Sequence, residues 1–97
     1  MPDRHAPLRH ATHTAIVHGA AELGAAIVQQ VWDGAVPAAL APLVGKVEHH
    51  AYRVTDADLD ALRPTHSEDA LFELVVAAAV GAAERRYQAA IAAMEGA

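Results

Sequence analysis

The sequence predicts an all-α protein: a small bundle of about five helices, the last of them long. Hydrophobic residues make up 54% of the 97 residues, yet the chain has one Trp, one Phe and two Tyr, so small and aliphatic side chains dominate that fraction. Alanine, the best helix former, is abundant. Apolar residues also recur at three- and four-residue intervals between helix start and stop signals.

The first two predicted helices precede Gly34. Apolar residues at helical spacing predict a helix over residues 8–17, and Gly19 offers a stop. A second helix is predicted over residues 20–32, because its apolar residues form one face, and it should end near Gly34. Residues 1–7 are expected to be a flexible N-terminus.

Two further helices are predicted in the middle of the chain. Pro37 suits the first turn of a third helix, where a missing amide hydrogen costs nothing, and that helix should run to about Arg53. Thr55 is a predicted N-cap, and the acidic residues that follow it favour a short helix through Leu62. Pro64 should terminate it.

The fifth predicted helix begins after Ser67, which repeats the N-cap signal, and runs to about Met94. Residues 70–83 are apolar on every face apart from one glutamate, a pattern typical of a helix packed on several sides. Ala77 and Gly81 lie one turn apart and would allow close approach of another backbone. That strip is either an interface between subunits or filler inside a tight bundle.

Composition excludes several function classes. The net charge is −5 and the seven Lys and Arg residues are scattered, so no basic surface for nucleic acid is expected. The longest apolar run, about 14 residues, is shorter than the roughly 20 needed to span a membrane. The first eight residues lack an apolar run, so we expect a cytoplasmic protein, and no long linker divides it into more than one domain over 1–97.

Two segments carry a resemblance to a known family. Residues 46–56 (KVEHHAYRVTD) and 67–83 (SEDALFELVVAAAVGAA) resemble the core of carboxymuconolactone decarboxylase-like and AhpD-like proteins, mainly through the acidic start of an alanine-rich apolar helix. The resemblance covers roughly residues 37–93. It implies an AhpD-like helical fold, and it implies an oligomer because members of the family generally assemble as helical oligomers.

The resemblance also defines what this chain lacks. Peroxidase members carry two cysteines three apart and a histidine four residues later, and the matching positions here are about His50, Arg53 and Ala57. Cysteine is absent from the whole sequence, so thiol chemistry is excluded. The family's decarboxylase branch acts without cysteine, through acid–base groups on a γ-lactone.

Four residues are candidates for such acid–base chemistry: Glu48, His49, His50 and Glu73. The first three are consecutive, so on a helix they point about 100° apart and cannot all face one pocket. Glu73, the one acid inside the apolar segment, is either a proton-handling group or an anchor that pairs with a basic side chain such as Arg53, Arg63 or His50.

Other charged groups have plainer interpretations. Arg85 and Arg86 are predicted to be solvated charges. His10 and His13 share a helical face and could contribute to a metal site, but they form no recognised ligand motif, so we expect surface histidines and no metal or cofactor.

Three functions therefore compete. The first is a non-catalytic protein of AhpD-like ancestry that acts through self-association or binds a partner protein, because residues 70–83 need more cover than a small monomer provides. The second is an acid–base enzyme similar to carboxymuconolactone decarboxylase, which requires a closed pocket where at least two of the four candidates converge. The third is a histidine-bound metal site.

Overall fold

A computed structural model describes residues 4–96 of the chain and defines its helices. These residues form five α-helices and one turn of 3-10 helix: α1 (Ala6–His18), α2 (Ala25–Asp33), α3 (Ala41–His50), the 3-10 turn (Ala51–Arg53), α4 (Asp56–Asp60) and α5 (Glu68–Glu95). The described residues contain no strand. The predicted all-α fold with a long last helix is confirmed.

The hydrophobic core lies along one side of α5. That helix packs most extensively against α2, and also against α3 and α1. The core combines aliphatic residues of α2 and α3 with leucines and alanines of α5, and its most deeply buried members are Val28, Val31, Val44, Leu74, Ala77 and Ala78. Trp32 is buried as well, at the C-terminal end of α2.

Gly81 sets the spacing between α2 and α5. A Cβ atom at this position would lie 2.7 Å from the carbonyl oxygen of Trp32 and 2.8 Å from its Cα. Such distances are shorter than van der Waals contact, so only glycine lets the two backbones approach this closely. The strip of Ala77 and Gly81 is therefore filled from within the chain, and it is not a free surface for another subunit.

The start of α2 differs from the prediction. Residues 20–24 form turns, and α2 begins at Ala25, five residues later than expected. Gly24 has a φ of 97°, a conformation that other residues rarely adopt and that interrupts a helix. The prediction was wrong here because the spacing of Leu23 and Ile27 suits a helix although the backbone between them does not follow one.

The start of α3 also differs. Pro37 lies in a turn in which its carbonyl accepts a hydrogen bond from Leu40, and the proline in the first helical turn is Pro42. Either proline is compatible with a helix start, so the sequence did not distinguish them. α3 ends at His50, and the last residues of the predicted helix form the 3-10 turn instead.

The N-terminal boundary is earlier than predicted. α1 begins at Ala6, so two residues of the expected flexible N-terminus are helical, and Pro7 occupies the first turn, where proline is tolerated. Residues 1–3 of that expected segment, like residue 97, lie outside the described residues. Gly19 follows the last residue of α1, as predicted.

A capping box and an ion pair join α3 to α4. The Thr55 hydroxyl accepts a hydrogen bond from the Asp58 amide, and Asp58 Oδ2 accepts one from the Thr55 amide at 2.9 Å, which confirms the predicted N-cap. Lys46 Nζ lies 2.7 Å from Asp58 Oδ1. The hydrogen bond from Lys46, followed by that from the Thr55 amide, lowers the pKa of Asp58 below its ordinary value of 3.8. This pair therefore stabilises the fold above that value and loses its effect as the pH falls through the lowered pKa.

α5 gives the molecule an elongated shape. Its 28 residues span about 42 Å, close to the longest dimension of the molecule, 47 Å. The radius of gyration is 14.5 Å, against about 12.5 Å for a globule of this length. Residues 86–95 are exposed except for the half-buried Ile91, and residues 90–95, beyond the contacts of Arg86 and Tyr87 with other helices, project from the bundle. No helix within residues 4–96 has the length and apolar character required to cross a membrane.

Replacing Gly81 with alanine should destabilise the protein. The new methyl group would collide with the Trp32 backbone, and such overpacking commonly costs about 1–3 kcal/mol. Alanine's helix propensity recovers only about 1 kcal/mol of that cost. We therefore expect urea denaturation followed by circular dichroism to show a free energy of unfolding lower by up to about 2 kcal/mol.

Gly45→Ala is the matched control. Gly45 also lies inside a helix, α3, but a Cβ at this position would meet nothing within 4 Å. It should leave stability unchanged or raise it by up to about 1 kcal/mol. Equal effects of the two substitutions would contradict the close α2–α5 contact.

Candidate functional site

Glu48 lies near the end of α3 and faces α5. Its side chain is 13% exposed, and Oε1 lies 3.2 Å from Arg85 Nη2, an ion-pair contact that lacks the direction of a hydrogen bond. Oε2 lies 3.9 Å from His49 Nε2, whose side chain is 66% exposed. Glu48 is thus held between a fixed arginine and a solvated histidine.

Arg85 and Arg86 bind the carboxyl-terminal ends of two other helices. The Arg85 guanidinium donates a hydrogen bond to the carbonyl of Trp32 in α2, and that of Arg86 donates one to the carbonyl of Glu48 in α3. Helix C-termini leave carbonyls without partners and carry partial negative charge, so cations stabilise them. Arg85 is half-buried, so the prediction that it is a solvated charge was wrong; Arg86 is exposed, as predicted, although its guanidinium also binds a carbonyl.

These side chains border one open groove between α3 and α5. Its volume is about 290 Å³, and it is lined by Glu48, His49, Ala82, Arg85, Arg86 and Ala89. Two of the four acid–base candidates, Glu48 and His49, therefore share a groove. The acid–base hypothesis required a closed pocket, whereas this groove opens to solvent.

The other two candidates lie elsewhere. His50 is exposed, and its Nδ1 lies 3.5 Å from the Tyr52 hydroxyl, outside the groove. Glu73 precedes Arg85 by three turns of α5, which separates them by about 18 Å along the helix. The structure does not bring the four candidates together.

Glu73 anchors the turn before α2. Its carboxylate accepts hydrogen bonds from the Glu22 amide at 3.1 Å and from the Leu23 amide at 3.2 Å. The anchor hypothesis named basic side chains as partners, whereas the carboxylate binds main-chain amides. These bonds give the amides of residues 22 and 23 an acceptor and hold the turn before α2 against α5, while the positive φ of Gly24 is what delays the start of α2.

His13 is part of a polar chain between α1 and α2. The Gln29 amide nitrogen donates to the Asp33 carboxylate at 3.1 Å, which turns Gln29 Oε1 towards His13. His13 Nε2 consequently donates to that oxygen at 2.8 Å, while the imidazole packs on Trp32 with ring centres 4.7 Å apart. His13 is thus half-buried and engaged. Among residues 4–96, no group of three or more His, Asp or Glu side chains is arranged to hold a metal ion.

α5 also has an uncharged outer face. We define the outer stripe as seven of its residues that lie within an arc of about 80° on the side away from the core: Phe72, Val76, Ala79, Ala83, Tyr87, Ala90 and Met94. Phe72 is 70% exposed and Met94 is 68% exposed. Val76 is half-buried, and the remaining four members are exposed. The Tyr87 ring rests under the Arg9 guanidinium, 4.4 Å from its centre.

The outer stripe is unusual for a solvent-facing helix surface. Such a surface normally carries charged and polar side chains. Here, seven successive outward positions over more than six turns include no charge, and their one polar atom is the Tyr87 hydroxyl. The sequence pattern makes α5 apolar on every face over residues 70–83, but a pattern of this kind does not distinguish the side that packs on the core from the side that faces solvent.

Comparisons with protein-family models, curated proteins and solved structures gave no match.

Replacing Glu73 with alanine should loosen the turn before α2. Loss of a charged acceptor for two amides should lower the free energy of unfolding by about 1–3 kcal/mol. Hydrogen exchange of the Glu22 and Leu23 amides should accelerate more than that of amides in α3. Glu73→Gln is the matched control, because it keeps one acceptor oxygen and should have a smaller effect. An unchanged exchange rate at both amides in Glu73→Ala would contradict the anchor.

Proposed function

We propose that this chain is a non-catalytic helical protein that acts through self-association, with the outer stripe of α5 as its contact surface. The observation that carries the proposal is the uncharged, solvent-facing stripe along residues 72–94 of α5. Large exposed apolar surfaces mark interaction sites, because covering them removes apolar area from water. AhpD-like ancestry and a cytoplasmic location belong to the same proposal.

The exposed area supports a partner of substantial size. A globular monomer of 10.1 kDa exposes about 5,300 Å², whereas this chain exposes 6136 Å². The excess, roughly 850 Å², is close to the area of about 800 Å² that each partner contributes to a standard protein interface. One further copy of the chain is enough to cover it.

The interactions that Glu48 and Glu73 make within the fold support a non-catalytic role. Glu48 and Glu73 hold other parts of the fold, through Arg85 and through two main-chain amides. A general acid or base must be free to exchange a proton with a substrate. The absence of cysteine removes the thiol route as well.

Light scattering coupled to size exclusion tests the proposal. We expect a mass of about twice the monomer's 10.1 kDa. Met94→Glu should shift the protein to monomer, because it places a charge in the apolar contact. Leu8→Glu is the matched control, because Leu8 is equally exposed, at 68%, but lies on α1. A wild-type monomer across a wide range of concentrations would refute self-association.

One observation favours a second candidate function. Glu48 and His49 line the same groove as Arg86, so a carboxylate and an imidazole lie beside a guanidinium that could attract an anionic substrate. The alternative is therefore a cysteine-independent acid–base enzyme similar to carboxymuconolactone decarboxylase. Its substrate would be a γ-lactone that carries carboxylate groups.

Carbon dioxide release from a carboxylated γ-lactone tests this alternative. If the groove is catalytic, His49→Ala should abolish turnover, because the imidazole borders the groove. His50→Ala should leave turnover unchanged, because His50 points to Tyr52 instead. We expect no turnover by the wild-type protein; turnover that depends on His49 but not on His50 would favour the enzyme.

A further inference from the structure

We propose that two copies of the chain pair through the outer stripe as an antiparallel helix pair, with the two-fold axis at Ala83. This inference rests on the proposed self-association and specifies its geometry. Ala83 is the middle residue of the stripe, and a two-fold axis there places every stripe residue opposite another stripe residue. The arrangement is closed, so it produces a dimer and no larger chain of subunits.

Side-chain size favours the antiparallel direction. With the axis at Ala83, Tyr87 of one copy faces Ala79 of the other, and Val76 faces Ala90. Each of these two pairs combines a larger side chain with an alanine, which permits close packing near the axis, while Phe72 and Met94 face each other at the two ends of the contact. A parallel pair in register would place Tyr87 against Tyr87 and Ala79 against Ala79. The two tyrosine side chains would be crowded, and a gap would be left between the two alanines.

The projecting end of α5 favours the same direction. Residues 90–95 lie beyond the contacts that Arg86 and Tyr87 make with α3 and α1, and they are exposed apart from the half-buried Ile91. In the antiparallel pair they lie along residues 71–76 of the other copy, where Phe72 is exposed. Both uncovered regions are then buried by each other. In a parallel pair, the two projecting ends would cover only one another.

Charge gives a third argument. Glu68 and Asp69 begin α5, and Arg86 borders the stripe further along. A parallel pair would bring the acidic starts of both copies together and place Arg86 beside Arg86, and each juxtaposition of like charges is unfavourable. In the antiparallel pair the two acidic starts lie at opposite ends, about 45 Å apart.

The centre of the stripe permits a close contact. Ala79 and Ala83 leave the outer surface of α5 nearly smooth at its middle. Helix axes pack about 8–10 Å apart, and small side chains allow the lower value. Since Cα atoms lie about 2.3 Å from each axis, the two Ala83 Cα atoms would come within the roughly 4.4–6.8 Å that a disulfide bridges.

Engineered disulfides test the geometry of the pair, because the natural chain has no cysteine that could form a competing disulfide. Under mild oxidation, Ala83→Cys should convert most of the protein to a covalent dimer. Ala90→Cys alone should form none, because its two copies would lie about 21 Å apart. A mixture of Val76→Cys and Ala90→Cys chains, one of them carrying an affinity tag, should give the mixed disulfide as the main product.

Each outcome decides between specific alternatives. Efficient self-linking of Ala90→Cys would establish a parallel pair and overturn this inference while leaving self-association intact. A dimer by light scattering in which neither Ala83→Cys nor the mixture cross-links would also overturn it, because the contact would then lie elsewhere. A wild-type monomer by light scattering would instead refute the proposed function itself.

Discussion

The close contact between Gly81 and the Trp32 backbone sets the distance between α2 and α5, and much of the structure depends on that distance. One turn after Gly81, Arg85 reaches the carbonyl of Trp32 and the carboxylate of Glu48. Two turns before it, Glu73 reaches the amides that precede α2. α5 is therefore the central helix of the bundle. Its polar side chains can bind α2 and the turn before it because Gly81 lets the backbones of α2 and α5 approach closely.

Three charged side chains of α5, the half-buried Glu73 and Arg85 and the exposed Arg86, act on the ends of other elements. Arg85 and Arg86 bind carbonyls near the C-termini of α2 and α3, and Glu73 binds amides in the turn before α2. Each charge thereby meets main-chain groups that helix geometry leaves without a partner. The arrangement explains why Glu73 and Arg85 can be charged next to the packed side of an otherwise apolar helix, and it leaves His49 and His50 as the solvated candidates.

The alanine-rich composition has two consequences. Inside the bundle, Ala77 and Ala78 let α2 and α3 lie close to α5, which compensates for the scarcity of large side chains. On the outer side, the same composition leaves a smooth surface without charge, broken by Phe72 and Met94 near its ends. Our proposal of self-association follows from the second consequence, because the core already uses the opposite side of the helix.

The sequence by itself determined the all-α class, the stop at Gly19, the Thr55 cap and the bounds of α5, because periodicity and capping act within one or two turns of the chain. It also identified Glu73 as a candidate anchor. The tertiary structure decided the late start of α2, the choice of Pro42 over Pro37, and the roles of Arg85 and Arg86. Arg85 follows Ala78 and Gly81 at helical spacing, so the sequence could have predicted that Arg85 lies on the packed side of α5. Its hydrogen-bond partner lies 53 residues away in the sequence, and no local pattern can specify such a partner.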